Sequence, residues 1–205
     1  MSNQNSATGF QFVRNRVAAS PTFQRSVYQI SSTNANSFGK GDVMIAVSTG
    51  YVDKALTSSH SVLLGIFDGC EYYDSVANKK IFSNAWLAPA NVLAGSALAY
   101  INSDINSIFG VQSGNGGPVT IASVFSNASM GGNGAPSTTT GISTAYLDFN
   151  TINTTSTLLF RIEAVPQNLG NVPTQNAPIN NDSTSEYNYV EVSMNTSISL
   201  NITGV

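Results

Sequence analysis

Apolar stretches of strand length, separated by clusters of Gly, Asn and Ser every ten or so residues, dominate this chain, and helical spacing is nearly absent. Gly41-Asp42 opens the run Val43-Met44-Ile45-Ala46-Val47, and Ser48-Thr49-Gly50 turns the chain into Tyr51–Leu56. After a polar loop comes Val62–Phe67, then Tyr72-Tyr73 and Ile81-Phe82 flanking a turn at Ala77-Asn78. The best helical stretch, Ala85–Ala99, is interrupted by Pro89 and Gly95. Further strands are predicted at Ala97–Ile101, Ile108–Gln112, Val119–Phe125 and Leu158–Val165. Between them lie breaker-rich loops at 113–117, 131–141 and 166–186. The last is long for a connection inside a compact domain. The pattern predicts an all-β fold, a small β-barrel or sandwich of short antiparallel strands with long Gly/Asn/Ser-rich loops.

The C-terminal segment alternates most cleanly. Val190, Val192, Met194, Thr196, Ile198, Leu200 and Ile202 occupy one set of positions, and Glu191, Ser193, Asn195, Ser197, Ser199, Asn201 and Thr203 the other. Such alternation buries one face and wets the other. At ~3.3 Å per residue one unbroken strand would reach ~45 Å, about twice the usual length. It therefore either bends between two sheets or projects to augment a neighbouring subunit. On the second alternative Val190, Val192, Met194, Ile198, Leu200 and Ile202 make the subunit contact. The domain reading places an N-terminal arm and first strands at 1–37 and a barrel or sandwich at 38–195, or two lobes fused near 90. A C-terminal strand extension follows at 196–205.

Composition adds a constraint. Of 205 residues, 41 % are hydrophobic, enough for a core, while only 9 % are charged against about 25 % in an average domain. Ser, Thr and Asn number 28, 18 and 23 and replace the charges. Low charge with ample apolar content argues against disorder. A net charge of −3 is too small to imply a nucleic acid or a membrane partner. The charges are unevenly spread, however. Residues 1–80 carry seven of eight cations, and no acid precedes Asp42. A basic N-terminal arm lying on an acidic partner is one reading of that asymmetry, and chance in a charge-poor chain is the other.

Candidate chemistry is sparse. His60 is the only histidine and Cys70 the only cysteine, so neither a disulfide framework nor a zinc site of His and Cys can form within the chain. No Gly-x-Ser-x-Gly elbow singles out a serine as a partner for His60. Cys70, after Asp68-Gly69, reads as a small core residue. Asp68, Glu71 and Asp74 could cluster across a hairpin but read more simply as solvated turn carboxylates. The glycine-rich stretches match no phosphate-binding loop. The residues thus point to a protein that works by surface contact, not to an enzyme, with no catalytic residue, cofactor or metal.

Gly41-Asp42-Val43, Gly50-Tyr51 and Leu64-Gly65-Ile66 resemble the small barrel of tailed-bacteriophage head-decoration, or capsid cement, proteins. A more specific series comprises the string from Gly65 to Asp74, Phe82-Ser-Asn-Ala-Trp86, Ala99-Tyr100-Ile101, Ile108-Phe-Gly-Val-Gln112, Gly141-Ile-Ser143 and Phe160-Arg-Ile162. It is similar, in the same order, to proteins encoded beside the major capsid protein in marine and cyanobacterial phages. The similarity spans roughly residues 38–195 as separate motifs, and the segment from Ile198 onward looks additional. The resemblance implies a virion structural protein, made in the host cytoplasm and standing as a homotrimer on the outside of the capsid. Its partner would be the major capsid protein, with neither nucleic acid nor membrane bound. On that reading Arg14, Arg16 and Arg25 face the capsid, and the 129–141 loop faces solvent or the trimer axis. The alternative is a phage adhesin or fibre domain binding host glycans, with Tyr72, Tyr73, Trp86 and Tyr100 as an aromatic platform.

Overall fold

The computed structural model describes residues 3–17, 25–56, 62–114, 116–132, 134–166, 168–169, 172–173 and 181–200. The first half of the chain carries β1 (Gln11–Asn15), β2 (Ser26–Gln29), β3 (Phe38–Gly39), β4 (Val43–Ala46), β5 (Val52–Lys54), β6 (Gly65–Asp74), β7 (Lys79–Ser83) and β8 (Ala85–Trp86). From Leu98 onward come β9 (Leu98–Asn102), β10 (Ser107–Gln112), β11 (Asn127–Gly131) and β12 (Tyr146–Asn153). These are followed by β13 (Phe160–Ala164), β14 (Asn168–Leu169), β15 (Val172–Pro173) and β16 (Tyr189–Met194). The protein is all-β, with short antiparallel strands organised in several sheets.

One six-stranded sheet runs β1-β10-β16-β13-β11-β12, so it draws on both ends of the chain. The other runs β2-β9-β6-β4-β5, with β7 hydrogen-bonded to β6 as the second arm of a hairpin. Two two-stranded pairs, β3-β8 and β14-β15, complete the set. Single parallel bridges add Ile30 to Val52, Lys40 to Ile142, Leu63 to Ser197 and Ser113 to Leu147.

Two apolar cores result, and β4 and β6 serve both. Val43 and Ile66 join Phe10, Phe109, Leu147, Phe160 and Val192 in the first core. Met44 and Phe67, one position along, join Phe38, Trp86 and Ile101 in the second. Alternation on a strand sends neighbouring side chains to opposite faces, so a strand between two cores must be apolar throughout. That is why these stretches read as unbroken apolar runs. Phe10 stacks on Phe160 at 4.3 Å in the first core, and Phe38 meets Phe67 edge-on at 5.0 Å in the second.

Three sequence expectations change. Val119–Phe125 is no strand: Ile121–Ser123 forms a single 3-10 turn, with Ile121 and Phe125 exposed, while Val119 is buried in the first core and Val124 packs against it. The strands β11 and β12 were not anticipated, because Asn127-Ala-Ser-Met-Gly131 and Tyr146–Asn153 interleave too many polar residues to announce themselves. The long C-terminal strand stops at Met194. Asn195 then ties the chain sideways: its backbone N–H donates to Leu159 O, and its side-chain amide donates to Ser156 O and Leu158 O. The chain next crosses to the second sheet, where the Ile198 N–H donates to Leu63 O. As far as Leu200, the alternating segment bends between the sheets rather than projecting, and residues 201–203 lie outside the described residues.

Candidate functional site: the seam between the two sheets

The two sheets meet at residues 39–42. The Lys40 N–H donates to both Asn84 O and Gly141 O, while the Ser143 N–H donates to Lys40 O. The Gly41 N–H donates to Phe67 O, and Gly41 O accepts from the Phe10 N–H at 2.9 Å. Four stretches of chain therefore converge on four residues. Only glycine fits such an approach at position 39, where a Cβ would run into the Gly141 carbonyl and Pro136.

Beneath this crossing lies a buried ion pair. Lys54 Nζ stands 3.2 Å from Asp42 Oδ2, with the two side chains 2 % and 1 % exposed. Asp42 also accepts from the Gly39 N–H at 2.8 Å and from Ser143 Oγ at 2.6 Å, and Lys54 Nζ donates to Gly134 O at 2.7 Å. Desolvating two charges is expensive and is offset only when other hydrogen bonds complete each partner, as they do here. The pair joins β5 to the 134–143 loop of the other sheet and so fixes how the sheets dock. One signal could have found it: counting by two from the apolar Val52, which is buried, puts Lys54 on an inward position.

Six of the seven cations in residues 1–80 meet carboxylates of their own chain. Arg14 bonds Glu191 through Nη2 at 2.9 Å and Nε at 3.2 Å, and Arg16 meets Glu163, which Arg161 approaches at 3.8 Å. Arg25 and Lys40 bracket Asp68, with Lys40 Nζ at 2.9 Å. Lys80 Nζ lies 2.6 Å from Glu71. Arg14, Arg16 and Arg25 are each half-exposed while paired with a carboxylate of the same chain.

The proposed subunit-contact residues are also accounted for. Val190, Val192 and Met194 are buried in the first core, where a side chain has no surface left to offer a neighbour. Ile198 packs against the second core, Leu200 is exposed, and Ile202 lies outside the described residues. His60 lies outside them too.

The carboxylates of the β6 hairpin do not converge. Asp68 faces Arg25 and Lys40, whereas Glu71 accepts from Lys80 and from the Tyr100 hydroxyl at 2.7 Å. Those two hydrogen bonds hold the Glu71 carboxyl below its ordinary value, and Glu71 in turn raises the Tyr100 phenol. Asp74 caps the turn by accepting from the Val76 and Ala77 N–H groups. Among the described residues no three His, Cys, Asp or Glu side chains gather at metal-binding spacing. Burial pushes the Cys70 thiol up to about 12, far from the thiolate a nucleophile needs. The four aromatics do not make one platform, because Trp86 is buried, stacked on Phe38 at 6.3 Å and met edge-on by Tyr72 at 5.6 Å.

Two phenylalanines are placed quite differently. Phe82 on β7 and Phe125 are both about two-thirds exposed. Lys80 Nζ stands 5.3 Å from the Phe82 ring centre, and the Arg161 guanidinium 5.4 Å from that of Phe125. Phe125 has φ +72°, a left-handed conformation that costs a bulky residue about 1–2 kcal/mol. The sequence carried no sign of either. Comparison with family models, with curated proteins and with solved structures gives no match.

Proposed function

We propose that this chain is a virion structural protein, a capsid decoration or cement protein that binds the outside of a major capsid protein lattice as a homotrimer. The observation that carries the reading is the pairing of seven of the eight cations with carboxylates of the same chain, while Phe82 and Phe125 stay exposed. Such a surface favours broad contact through apolar side chains, hydroxyls and amides over transfer chemistry. A clamp between capsomers needs extensive contact area and a stiff body, and the strands shared by two cores supply stiffness. The sequence motifs between Gly41 and Ile162 point the same way. The proposal includes a finer architecture, in which the second sheet wraps into a small barrel that closes where Ile30 bridges Val52.

Sedimentation equilibrium of the purified chain tests the oligomer directly. A mass three times 21.5 kDa is expected. A strict monomer that also fails to trimerise on isolated capsids overturns the reading.

A further inference from the structure

We propose that the cleft between the two sheets, beside Asp68, is a binding site for a carboxylate carried on a short apolar stem. The cleft has a volume of about 280 Å³ and is walled by Phe10, Phe12, Phe67 and Phe109, with Arg25, Lys40 and Asp68 among its polar lining. It stands independently of the decoration reading.

Three observations converge there. The first is an unmatched donor. Asn102 lines the cleft and is 2 % exposed, and its Nδ2 has no acceptor among the described residues. Its amide orientation is fixed, because Oδ1 accepts from the Asp104 N–H, which can only donate, and from Ser107 Oγ at 3.0 Å. A buried donor left unpaired costs roughly as much as a lost hydrogen bond, and because Nδ2 itself is closed to solvent, an acceptor oxygen in the cleft gains that contact only with a small shift of the cleft wall.

The second is the charge arrangement. The β6–β9 register passes from Phe67 opposite Ile101 to Gly69 opposite Tyr100, which leaves Asp68 as the extra residue of a β-bulge. The bulge sets Asp68 beneath two cations whose side chains are 48 % and 41 % exposed, while Asp68 is 8 % exposed. Asp68 Oδ2 meets Arg25 as a charge contact without an aligned hydrogen bond. What reaches solvent is positive, and the trio keeps a net charge of +1. The same three residues line an adjoining open groove that leads to Phe82 and Tyr100.

The third is size and polarity. Ligand sites for drug-sized molecules run about 300–1,000 Å³, so this cleft suits one side chain or a molecule of similar bulk. Half-buried Phe12, with the closely packed Phe10, Phe67 and Phe109 behind it, accepts an apolar stem, and the cations accept the carboxylate at its end. A small organic acid and an acidic side chain of another protein share this chemistry.

The test is a titration of the intact ¹⁵N-labelled protein, read at the Asn102 side-chain amide and the ring protons of Phe12 and Phe109. One probe is phenylacetate and the other N-acetylglutamate N-methylamide; their neutral counterparts are phenylacetamide and N-acetylglutamine N-methylamide. Saturable shifts with half-saturation at about 1–10 mM are expected for at least one acid, and none for the neutral molecules. The tighter acid identifies the source, a free organic acid or a protein side chain. Lys40→Gln is expected to weaken binding roughly tenfold. No shift with either acid, or equal shifts with acid and amide, overturns the site without needing any variant to fold.

Discussion

The Asp42–Lys54 pair and the arginine ladder on the first sheet use the same ingredients for opposite ends. Asp42 and Lys54 are sealed under the crossing at residues 39–42, with every charged atom completed by backbone or Ser143. Arg14 and Arg16 lie over Glu191 and Glu163 with nearly half of each guanidinium side chain in water. The comparison separates position from attraction. A buried pair determines which docking of the sheets is permitted, because any other leaves a bare charge; an exposed pair covers polar strand positions and is worth little by itself.

Removing one member of each pair separates the two roles. Lys54→Met leaves the Asp42 carboxylate buried without its cation, and an unfolding free-energy loss of about 3–5 kcal/mol is expected from urea titration. Combining it with Asp42→Asn is expected to recover part of that loss. If Lys54→Met costs no more than the surface variants, the pair does not fix the docking. Arg16→Gln is expected to cost about 0–1 kcal/mol, and that small effect should shrink further at high salt while the Lys54 effect persists. Phe125→Gly bears on the exposed aromatics: relief of the left-handed backbone is expected to offset the lost Arg161 contact, leaving stability within about 1 kcal/mol of the parent. A loss above about 2 kcal/mol would mean that Phe125 packs rather than presents its ring.

The smallest effect concerns acid. Asp182 is held at about 2, below its ordinary 3.8, chiefly by hydrogen bonds from Thr184 and Ser185. A carboxylate depressed by folding contributes stability above its unfolded value, and that contribution disappears as pH falls from about 3.8 through about 2. Carbon-detected titration of Asp182 should show a midpoint near 2, and a midpoint near 3.8 would deny the hydrogen bonds.

The fold class was legible because turn residues punctuate the chain and because Val43–Val47 and Val62–Phe67 are apolar throughout. Their lack of alternation was itself the signature of strands with a core on each face. Less legible were β11 and β12, whose polar residues satisfy one another: Thr151 Oγ1 accepts from the Ser129 N–H and donates to Asp148 O. The charge asymmetry left an acidic partner and chance both open, and one-dimensional spacing could not show that Glu191 and Glu163 return beside β1 from nearly 180 and 150 residues away. The C-terminal strand ran as far as Met194, but its second face is not wet, because Glu191 and Ser193 are buried beneath Arg14 and Arg16. What ended the strand was the side-chain amide of Asn195, a residue that had looked like one more wet position. Phe125 and the orphan donor of Asn102 had no sequence signal at all, since both depend on geometry.

The claim that this protein acts by surface contact on a capsid rests most directly on co-sedimentation of the purified chain with capsids lacking it. Saturable binding at a fixed ratio to capsid protein, of three chains per occupied position, is the expected result. Sedimentation of capsids free of the chain at saturating concentration would contradict it.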